Sequence, residues 1–484
     1  MSIEVPLREG SRVGASPRRG ARRLRTSSLT ALAATAALTL AACGSSSGSG
    51  SGSGGGAGTT TNGGGSGQTT NAAASGGGGT STSGGSGGGG TGGAASVPQT
   101  NSHFPTLSAP NKPASGSPLT FAMISLSSAQ ASYVENTQAA QAAARYVNAK
   151  LGGIGGHPIK IVTCTTDGTG ATSSSCANKL IQQHPVAFFG DSDLATFASL
   201  PLINKAGLAY IGGVGFVGPE DILPNSFQFV GGSTMVWPAM GEYAVKNLHA
   251  SKLAFTVPTG NPYAAIAAHL VAGAAQKAGL PMAQMKAVPL DPTAADVTSQ
   301  VEAMNSASPD AMVGINTGTQ CVSLTQAKQS LGVTAKWFLP SGCSDPKTIK
   351  AMGSAVDGAY MPFEVEVPGD NGPDVQLYKA VMAKYSPKSL MDEFTSAGFQ
   401  EVMNTWTVLH TVKNITPKSV IAAFDKTHDV HNFMGPNFTC NHAVKAYPAL
   451  CNPKQMMFQY DNGTWKAVSG FFDPTAYTNP KAQY

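Results

Sequence analysis

The sequence predicts an α/β protein with two lobes, each a mostly parallel sheet flanked by helices. Two observations lead to this prediction. From Pro118 onward, short apolar runs alternate with Ala-rich segments of helical periodicity, as in repeated βα units. The alternation breaks near residue 233 and then restarts, which indicates a second sheet. The roughly 365 residues from Pro118 to the end are enough for two cores.

The composition of the chain is uneven along its length. Only 12% of the 484 residues are charged and 58 are Gly, but 24 of these Gly lie between Gly44 and Gly93. The net charge of +5 is equally local, because residues 1–42 contain seven Arg and two Glu. The rest of the chain is neutral overall, which argues against a nucleic-acid partner.

Residues 1–42 are predicted to be a signal peptide. A basic stretch that ends at Arg25 precedes an apolar run from Leu29 to Leu40, which is too short to cross a hydrocarbon core of about 30 Å. The run ends in a Leu-Ala-Ala-Cys-Gly motif that looks like a bacterial lipobox, whose Cys is Cys43. We expect Cys43 to be lipidated and to anchor the mature chain to the outer face of the cell membrane. The alternative, a buried Cys that ends a short core helix, leaves the upstream Arg unexplained.

Residues 43–117 are expected to form a disordered tether. Between Gly44 and Ser96, 44 of 53 residues are Gly, Ser or Thr. Such a segment cannot bury enough apolar surface to offset its conformational entropy. A Gly-rich coil of about 74 residues has a root-mean-square reach of roughly 50 Å, so the folded body would search the adjacent membrane.

Apart from Cys43, the chain contains six cysteines, an even number in a protein that is expected to be exported to an oxidising compartment. Three disulfides are therefore predicted. Fifteen connectivities are possible, but the short separations favour neighbouring pairs: Cys164 with Cys176, Cys321 with Cys343, and Cys440 with Cys451. No pair has the Cys-x-x-Cys spacing of a zinc site, and we expect no bound metal.

The strands and helices follow from apolar periodicity. Before the break, strands are predicted at 119–124, 159–162, 186–189 and 208–211, and helices at 133–151 and 172–183. After the break, strands are predicted at 252–257, 284–288, 311–315 and 336–339, with helices at 263–274 and 297–304. The apolar stripe of the first helix, which includes Tyr133 and Val147, is expected to face the sheet.

Three stretches of the chain resemble a known family. The most specific is Ala143–Ile161, with a helix, an Asn, a Gly-Gly-Ile-Gly-Gly turn and a strand; Asp357–Tyr360 and Phe394–Phe399 add to it. They resemble the type I periplasmic-binding-protein fold, in particular the branched-chain amino acid and amide-binding (Leu/Ile/Val-binding-like) branch of ABC transporter substrate-binding proteins. The resemblance covers about Pro118 to Lys426.

The resemblance implies two lobes joined by several crossovers, with a small polar ligand enclosed between them by hinge motion. We expect the first lobe to comprise 118–233 plus about 361–420, and the second 234–360 plus about 421–475. The implied partner is an ABC permease. We expect a monomer without a cofactor.

Loops at the carboxyl ends of the strands are the predicted ligand site, since parallel sheets bind ligands there. In the family, two of these loops hold a ligand carboxylate, and an aromatic residue of a third covers the ligand. For Tyr133 and Phe216, a place in the pocket wall and simple core packing remain open. The predicted ligand-binding residues are Tyr133, Ser192, Asp193, Gly213, Gly215, Phe216, Tyr263, Thr317 and Ser341.

The chain departs from the family at the loop 340–343. Amino-acid binders of this type usually carry a Glu there for the ligand ammonium, and this chain has Ser341-Gly342. Asp191 and Asp193 are candidates to replace the charge from the other lobe, although they would repel a nearby anionic group. The ligand is therefore not necessarily an α-amino acid. Alternatively, Asp193 merely caps the following helix.

The sequence favours one of three function classes. The leading hypothesis is a lipid-anchored solute receptor that delivers a small molecule to an ABC permease without chemistry of its own. The alternative is a ligand-sensing module that acts on a separate membrane receptor. A hydrolase is less well supported, because the sequence has no Gly-x-Ser-x-Gly elbow, phosphate-binding loop or His-Glu-x-x-His motif.

Overall fold

A computed structural model describes residues 104–478, except 129–131, 191, 216–217, 261, 317–318, 367–371 and 441. The predicted signal peptide, Cys43 and residues 44–103 of the predicted tether lie outside the described residues. Residues 104–117 were expected to belong to the disordered tether, and this expectation is wrong. Phe104 is buried in the core of the first lobe, and the backbone amides of Lys112 and Ala114 donate to the carbonyls of Ala149 and Asn148 at 2.9 and 2.8 Å. No helix in the described part of the chain is long and apolar enough to cross a membrane.

The first lobe begins with parallel βα units. Its strands are β1 (Leu119–Leu126), β2 (Ile159–Thr166), β3 (Ala187–Phe189), β4 (Tyr210–Ile211) and β5 (Ser226–Phe227), and its first helices are α1 (Val134–Tyr146), α2 (Gly170–Ile181), α3 (Thr196–Lys205) and α4 (Pro219–Ile222). All pairs are parallel in the order β2-β1-β3-β4-β5. The predicted helix 133–151 corresponds to α1 and one wider turn at Val147–Leu151.

The second lobe repeats the pattern. Its helices are α5 (Gly232–Lys246), α6 (Pro262–Lys277), α7 (Thr298–Asn305), α8 (Thr319–Ser330) and α9 (Pro346–Met352), and its strands are β6 (Leu253–Pro258), β7 (Met285–Leu290), β8 (Ala311–Val313), β9 (Lys336–Phe338) and β10 (Tyr360–Phe363). These five strands pair in parallel. The two predicted parallel sheets are therefore confirmed.

The chain then returns to each lobe in turn. Helices α10 (Pro373–Tyr385), α11 (Glu393–Leu409) and α12 (Pro417–Phe424) precede a hairpin of β11 (Val430–Asn432) and β12 (Gly435–Phe438). Strands β13 (Met456–Asp461) and β14 (Thr464–Ala467) then extend the second sheet in antiparallel fashion, giving the order β14-β13-β10-β9-β8-β6-β7. The second sheet is thus mostly, and not wholly, parallel.

The boundary expected at residue 421 differs from the observed one. Phe424, Phe433 and Phe438 pack in the apolar cluster of the first lobe, where the Phe424 and Phe227 ring centroids lie 5.0 Å apart. The aromatic side chains of α12 and the hairpin thus complete the first core. The chain joins the second sheet only from Met456.

Three crossover segments that connect the lobes are bonded to one another. The buried carboxylate of Glu364, which follows β10, accepts hydrogen bonds from Gln455 Nε2 at 3.2 Å and from the backbone amide of Gly232. Asn452 Nδ2 donates to the Phe229 carbonyl at 3.2 Å. The Glu364 carboxylate, which belongs to the second crossover, therefore bonds to both of the others.

The three disulfides join neighbouring cysteines, as the short separations favoured. Cys164–Cys176 links β2 to α2, and Cys440–Cys451 closes the loop after β12. Cys321–Cys343, with Cα atoms 5.7 Å apart, ties α8 to the loop that follows β9. This last bond fixes the loop that contains Ser341.

Helices α1 and α11 pack closely enough to require a glycine. A Cβ atom at Gly398 would lie 2.1 Å from the Asn136 carbonyl oxygen, which is backbone and cannot turn aside. The return of the chain through α11 thus depends on this contact. It also places the first turn of α11 beside the first turn of α1.

We predict that Gly398→Ala destabilises the fold by about 1–3 kcal/mol, because the two helices must separate to admit the methyl group. A urea titration monitored by tryptophan fluorescence measures the effect. The matched control is Gly470→Ala, where a Cβ meets no atom within 4 Å. Equal unfolding midpoints for the two variants would contradict the close packing of α1 and α11.

Candidate functional site

A cavity of about 340 Å³ lies between the lobes. Its volume is in the range of roughly 300–1,000 Å³ that is usual for small-molecule sites. Val214, Asn316 and Ser341 follow β4, β8 and β9, so the cavity lies at the carboxyl ends of the strands, as predicted. Its remaining wall residues are Ser132, Tyr133, Glu135, Gly232, Ser233, Val236, Trp237, Pro340, Gly342, Asp345, Lys347, Leu390, Asp392, Glu393 and Phe394.

Four helices begin at this cavity: α1, α5, α9 and α11. Asp392 caps α11 by accepting a hydrogen bond from the Thr395 amide at 2.9 Å. Asp345 caps α9 through the amides of Lys347 and Thr348, at 2.9 and 3.1 Å. Both are ordinary N-cap interactions, and they stabilise the starts of two helices that line the cavity.

The start of α5 lies against the loop after β4. Gly232 has a φ of 54°, and a Cβ atom there would lie 2.4 Å from the Gly215 carbonyl oxygen. The Ser233 amide donates to that same carbonyl at 2.8 Å. This close approach lets the first crossover pass beside Val214 and form part of the wall.

Three aromatic rings contribute to the cavity wall. Tyr133 and Phe394 stack with their ring centroids 4.1 Å apart and an interplanar angle of 28°. Trp237, on α5, is buried and belongs to the second-lobe core. Tyr133 is thus a wall residue, which is one of the two roles considered for it, and the three rings are contributed by both lobes.

Four carboxyl groups lie in the wall. Burial, together with the charges of Asp392 and Asp345, raises the pKa of Glu135 to about 7, against an opposing effect of Lys347. Burial, with the charges of Glu364 and Asp392, raises the pKa of Glu393 to about 8.

A third wall carboxyl group and a neighbouring phenol also have raised pKa values. Burial raises the pKa of Asp392 above its ordinary value. The pKa of Tyr133 rises to about 12 through burial and the nearby charges of Glu135, Glu393 and Asp392. The cavity is therefore an environment that strongly favours neutral acids or bound cations.

Ser341 and Glu393 connect the lobes at the cavity. The Ser341 hydroxyl, in the second lobe, donates to Glu393 Oε1, in the first lobe, at 2.8 Å. The loop at 340–343 thus has a carboxylate beside it despite lacking a Glu of its own. The sequence signal for Glu393 was its place directly before the family-like stretch Phe394–Phe399.

Several predicted site residues lie elsewhere. Ser192 and Asp193 are buried and outside the cavity wall. Asp193 accepts hydrogen bonds from Ser173 Oγ at 2.5 Å and from the Ala195 amide at 3.2 Å, while the N-cap position of α3 is occupied by Ala195, so Asp193 does not cap that helix as the alternative proposed. Gly213 and Gly215 flank the wall residue Val214 without lining the cavity.

The remaining predicted residues are not placed by the structure. Phe216 and Thr317 lie outside the described residues, as does Asp191. Tyr263 lies in the first turn of α6, and its side chain is not described. Among the described residues, no group of three His, Cys, Asp or Glu is arranged to hold a metal ion.

A second cavity of about 240 Å³ adjoins the first. Asp392 and Glu393 line both, while the rest of its wall includes Phe363, Tyr460 and Trp465. It lies beside β10, β13 and β14, away from the loops after β4 and β8. We therefore assign the candidate ligand site to the larger cavity.

We predict that the ligand-free protein loses stability as the pH rises from about 5 to about 8. In the folded state Glu135 and Glu393 have pKa values of about 7 and about 8, against an ordinary value of 4.5 when unfolded. Over this interval the folded state binds more protons, so the free energy of unfolding decreases with pH. Thermal unfolding between pH 5 and 8.5 measures the slope.

The control is the double variant Glu135→Gln/Glu393→Gln, in which neither side chain titrates. Its melting temperature should depend less steeply on pH than that of the unchanged protein. Identical slopes would show that these two groups do not have the raised pKa values.

Comparison with known proteins places the fold. No curated protein sequence matches the chain. Similar solved structures include an extracellular ligand-binding receptor from Verminephrobacter eiseniae (18% identity, TM-score 0.62, covering 72% of this chain and 99% of that one). A leucine-binding protein from Thermotoga maritima is similar too (15% identity, TM-score 0.61, covering 74% and 99%). So is a fatty acid ABC transporter substrate-binding protein from Thermomonospora curvata (17% identity, TM-score 0.63, covering 76% and 97%).

At these identities the structures show the type I two-lobed fold, as the resemblance predicted. A family model described as periplasmic binding protein matches residues 118–449, more than half of the chain. Proteins of this family are extracytoplasmic solute binders and not enzymes. The chain belongs to the periplasmic binding protein family.

Proposed function

We propose that the chain is a lipid-anchored substrate-binding protein that delivers a small polar ligand to an ABC permease. The observation that carries the proposal is the cavity of about 340 Å³ whose wall comes from both lobes. A ligand between Tyr133 of the first lobe and Trp237 of the second contacts both at once. Its binding free energy therefore favours the closed arrangement of the lobes over an open one.

The crossovers are suited to act as the hinge. The chain passes between the lobes beside Gly232, Glu364 and Gln455, which are bonded to one another. When the lobes open, Ser341 separates from Glu393, while the hydrogen bonds among Gly232, Glu364 and Gln455 stay in place. A permease can then distinguish ligand-loaded from empty protein by the relative position of the lobe surfaces.

The N-terminal segment supports the anchored form of the proposal. A lipidated Cys43 carries two acyl chains, which together give stable membrane attachment where a single chain does not. Because residues 104–117 pack on the first lobe, the tether comprises about 60 residues, and its root-mean-square reach is roughly 40–45 Å, enough for the body to meet a permease in the same membrane.

We predict that Cys43→Ser releases the protein from the membrane, because the hydroxyl cannot form the thioether to diacylglycerol. Cell fractionation and mass spectrometry of the mature N-terminus measure this. The matched control is Ser45→Cys, which leaves Cys43 in place and should remain with the membrane. Recovery of the unchanged protein in the soluble fraction would contradict lipid anchoring.

We predict that one class of small solute raises the melting temperature of the oxidised mature protein, since a ligand at a hundredfold excess over its Kd adds about 2.7 kcal/mol. The named binding proteins among the structural neighbours differ in ligand, leucine in one and fatty acid in another, so the screen spans amino acids, amides, amines, carboxylates and sugars.

A transport role further requires that cells accumulate the labelled solute and that deletion of this chain abolishes the accumulation. Binding without accumulation would instead indicate a sensing module. Turnover of the bound solute would contradict a binding protein of either kind. If no solute in any class shifts the melting temperature at millimolar concentration, the proposed function fails.

A further inference from the structure

The charges around the cavity are unbalanced. Its wall contains the carboxyl groups of Glu135, Asp345, Asp392 and Glu393, and Lys347 is the single basic residue among the described wall residues. Asp345 and Asp392 are satisfied as helix caps. Glu135 and Glu393 thus remain as the carboxylates to be explained.

Among the described residues, no Lys, Arg or His forms an ion pair with either of these two glutamates. Lys347 is exposed to solvent and acts on Glu135 only at a distance longer than an ion pair. Glu135 is 6% exposed, and the hydrogen bond to its carboxylate comes from its own backbone amide. Glu393 accepts from the neutral Ser341 hydroxyl. A buried carboxylate without a positive partner is destabilising, so a positive group from outside the chain is the natural complement.

The aromatic wall fits the same kind of group. The stacked pair of Tyr133 and Phe394 adjoins Glu135 and Glu393 in the sequence, and Trp237 belongs to the same cavity wall. Aromatic faces attract organic cations, most strongly in a site from which water is excluded. A wall that contains both carboxylates and aromatic rings suits the positive group and the alkyl substituents of an ammonium ion.

The helix N-termini at the cavity are already occupied by protein carboxylates. A ligand carboxylate would ordinarily bind at such ends, where backbone amides are unpaired. Here Asp345 and Asp392 cap α9 and α11, Glu364 binds the Gly232 amide of α5, and Glu135 binds its own amide in α1. A ligand anion would meet a protein carboxylate at each of these four helix starts.

Resting on the proposed binding function, we infer that the ligand is a small organic cation without a carboxylate, a substituted ammonium or guanidinium. Glu135 and Glu393 bind its positive group, and Tyr133, Phe394 and Trp237 enclose its carbon substituents. The Glu393 carboxylate also holds Ser341 of the second lobe, so the same contact couples the cation to lobe closure.

Matched pairs of solutes test the inference by isothermal titration calorimetry on the oxidised mature protein at pH 8. Each pair differs by a carboxylate: isoamylamine and leucine, agmatine and arginine, choline and betaine. At least one amine or quaternary ammonium should bind about tenfold or more tightly than its carboxylate-bearing partner, since like charges in a buried site repel strongly.

Variants then identify the groups responsible. Glu393→Gln and Glu135→Gln should each weaken binding of that cation by about tenfold or more, because a buried charge loses its partner. Without ligand at pH 8, both variants should also melt at a higher temperature than the unchanged protein. At pH 5, where the glutamates are protonated, the melting temperatures should be the same. A merely structural role would lower the melting temperature. Glu302→Gln, on the exposed face of α7, is the matched control and should change neither quantity.

Tighter binding of the carboxylate-bearing member in every pair would overturn the inference and leave the proposed function intact. So would a neutral ligand from the wider screen, or a cation whose affinity is the same in both glutamine variants. Absence of binding by every solute class is a different result, because it removes the proposed binding function itself.

Discussion

The two-lobed structure depends on a small group of hydrogen bonds around the Glu364 carboxylate. This buried side chain accepts from Gln455 and from the Gly232 amide, so it contacts each of the three segments that pass between the lobes. Burial raises its pKa to about 7. The contact fixes where the chain leaves each sheet. The starts of α5 and α11, and with them Trp237 and Glu393, are positioned relative to these crossovers.

The cavity combines structural and binding requirements in the same residues. Asp345 and Asp392 stabilise the helices that they begin, and Gly398 allows α11 to pack against α1, so that Glu393 and Glu135 line the same cavity. The two carboxyl groups lie in a partly dry site, Glu135 beside the charges of Asp392 and Asp345 and Glu393 beside those of Glu364 and Asp392. The fold thus carries a local electrostatic cost that a bound cation relieves, which is how ligand binding and lobe closure become linked.

Much of the fold was predictable from the sequence, and the site less so. Alternating apolar runs predicted both sheets, and the strand-end rule pointed to the loop of Ser341, which lines the cavity, whereas the choice between pocket wall and core packing for Tyr133 stayed open. Asp193 was ambiguous because a carboxylate after a strand serves equally as a ligand group or a cap. Glu135 and Glu393 were missed because acidic residues in a first helical turn are common, and the two are about 260 positions apart in the sequence. Only the return of the chain through α11, between the second and third crossovers, brings them together.

The most direct test of the account is the number of protons released when a cation binds. Titration calorimetry at pH 7 in buffers of different ionisation enthalpy gives this number. A quaternary ammonium ligand does not titrate, and its charge lowers the pKa of Glu135 and Glu393 toward their ordinary values. We therefore expect that binding of the cation releases a substantial fraction of a proton, or more than one proton. The Glu135→Gln/Glu393→Gln variant should release none. Binding with no proton release, or with proton uptake, would contradict a site built around these two carboxylates.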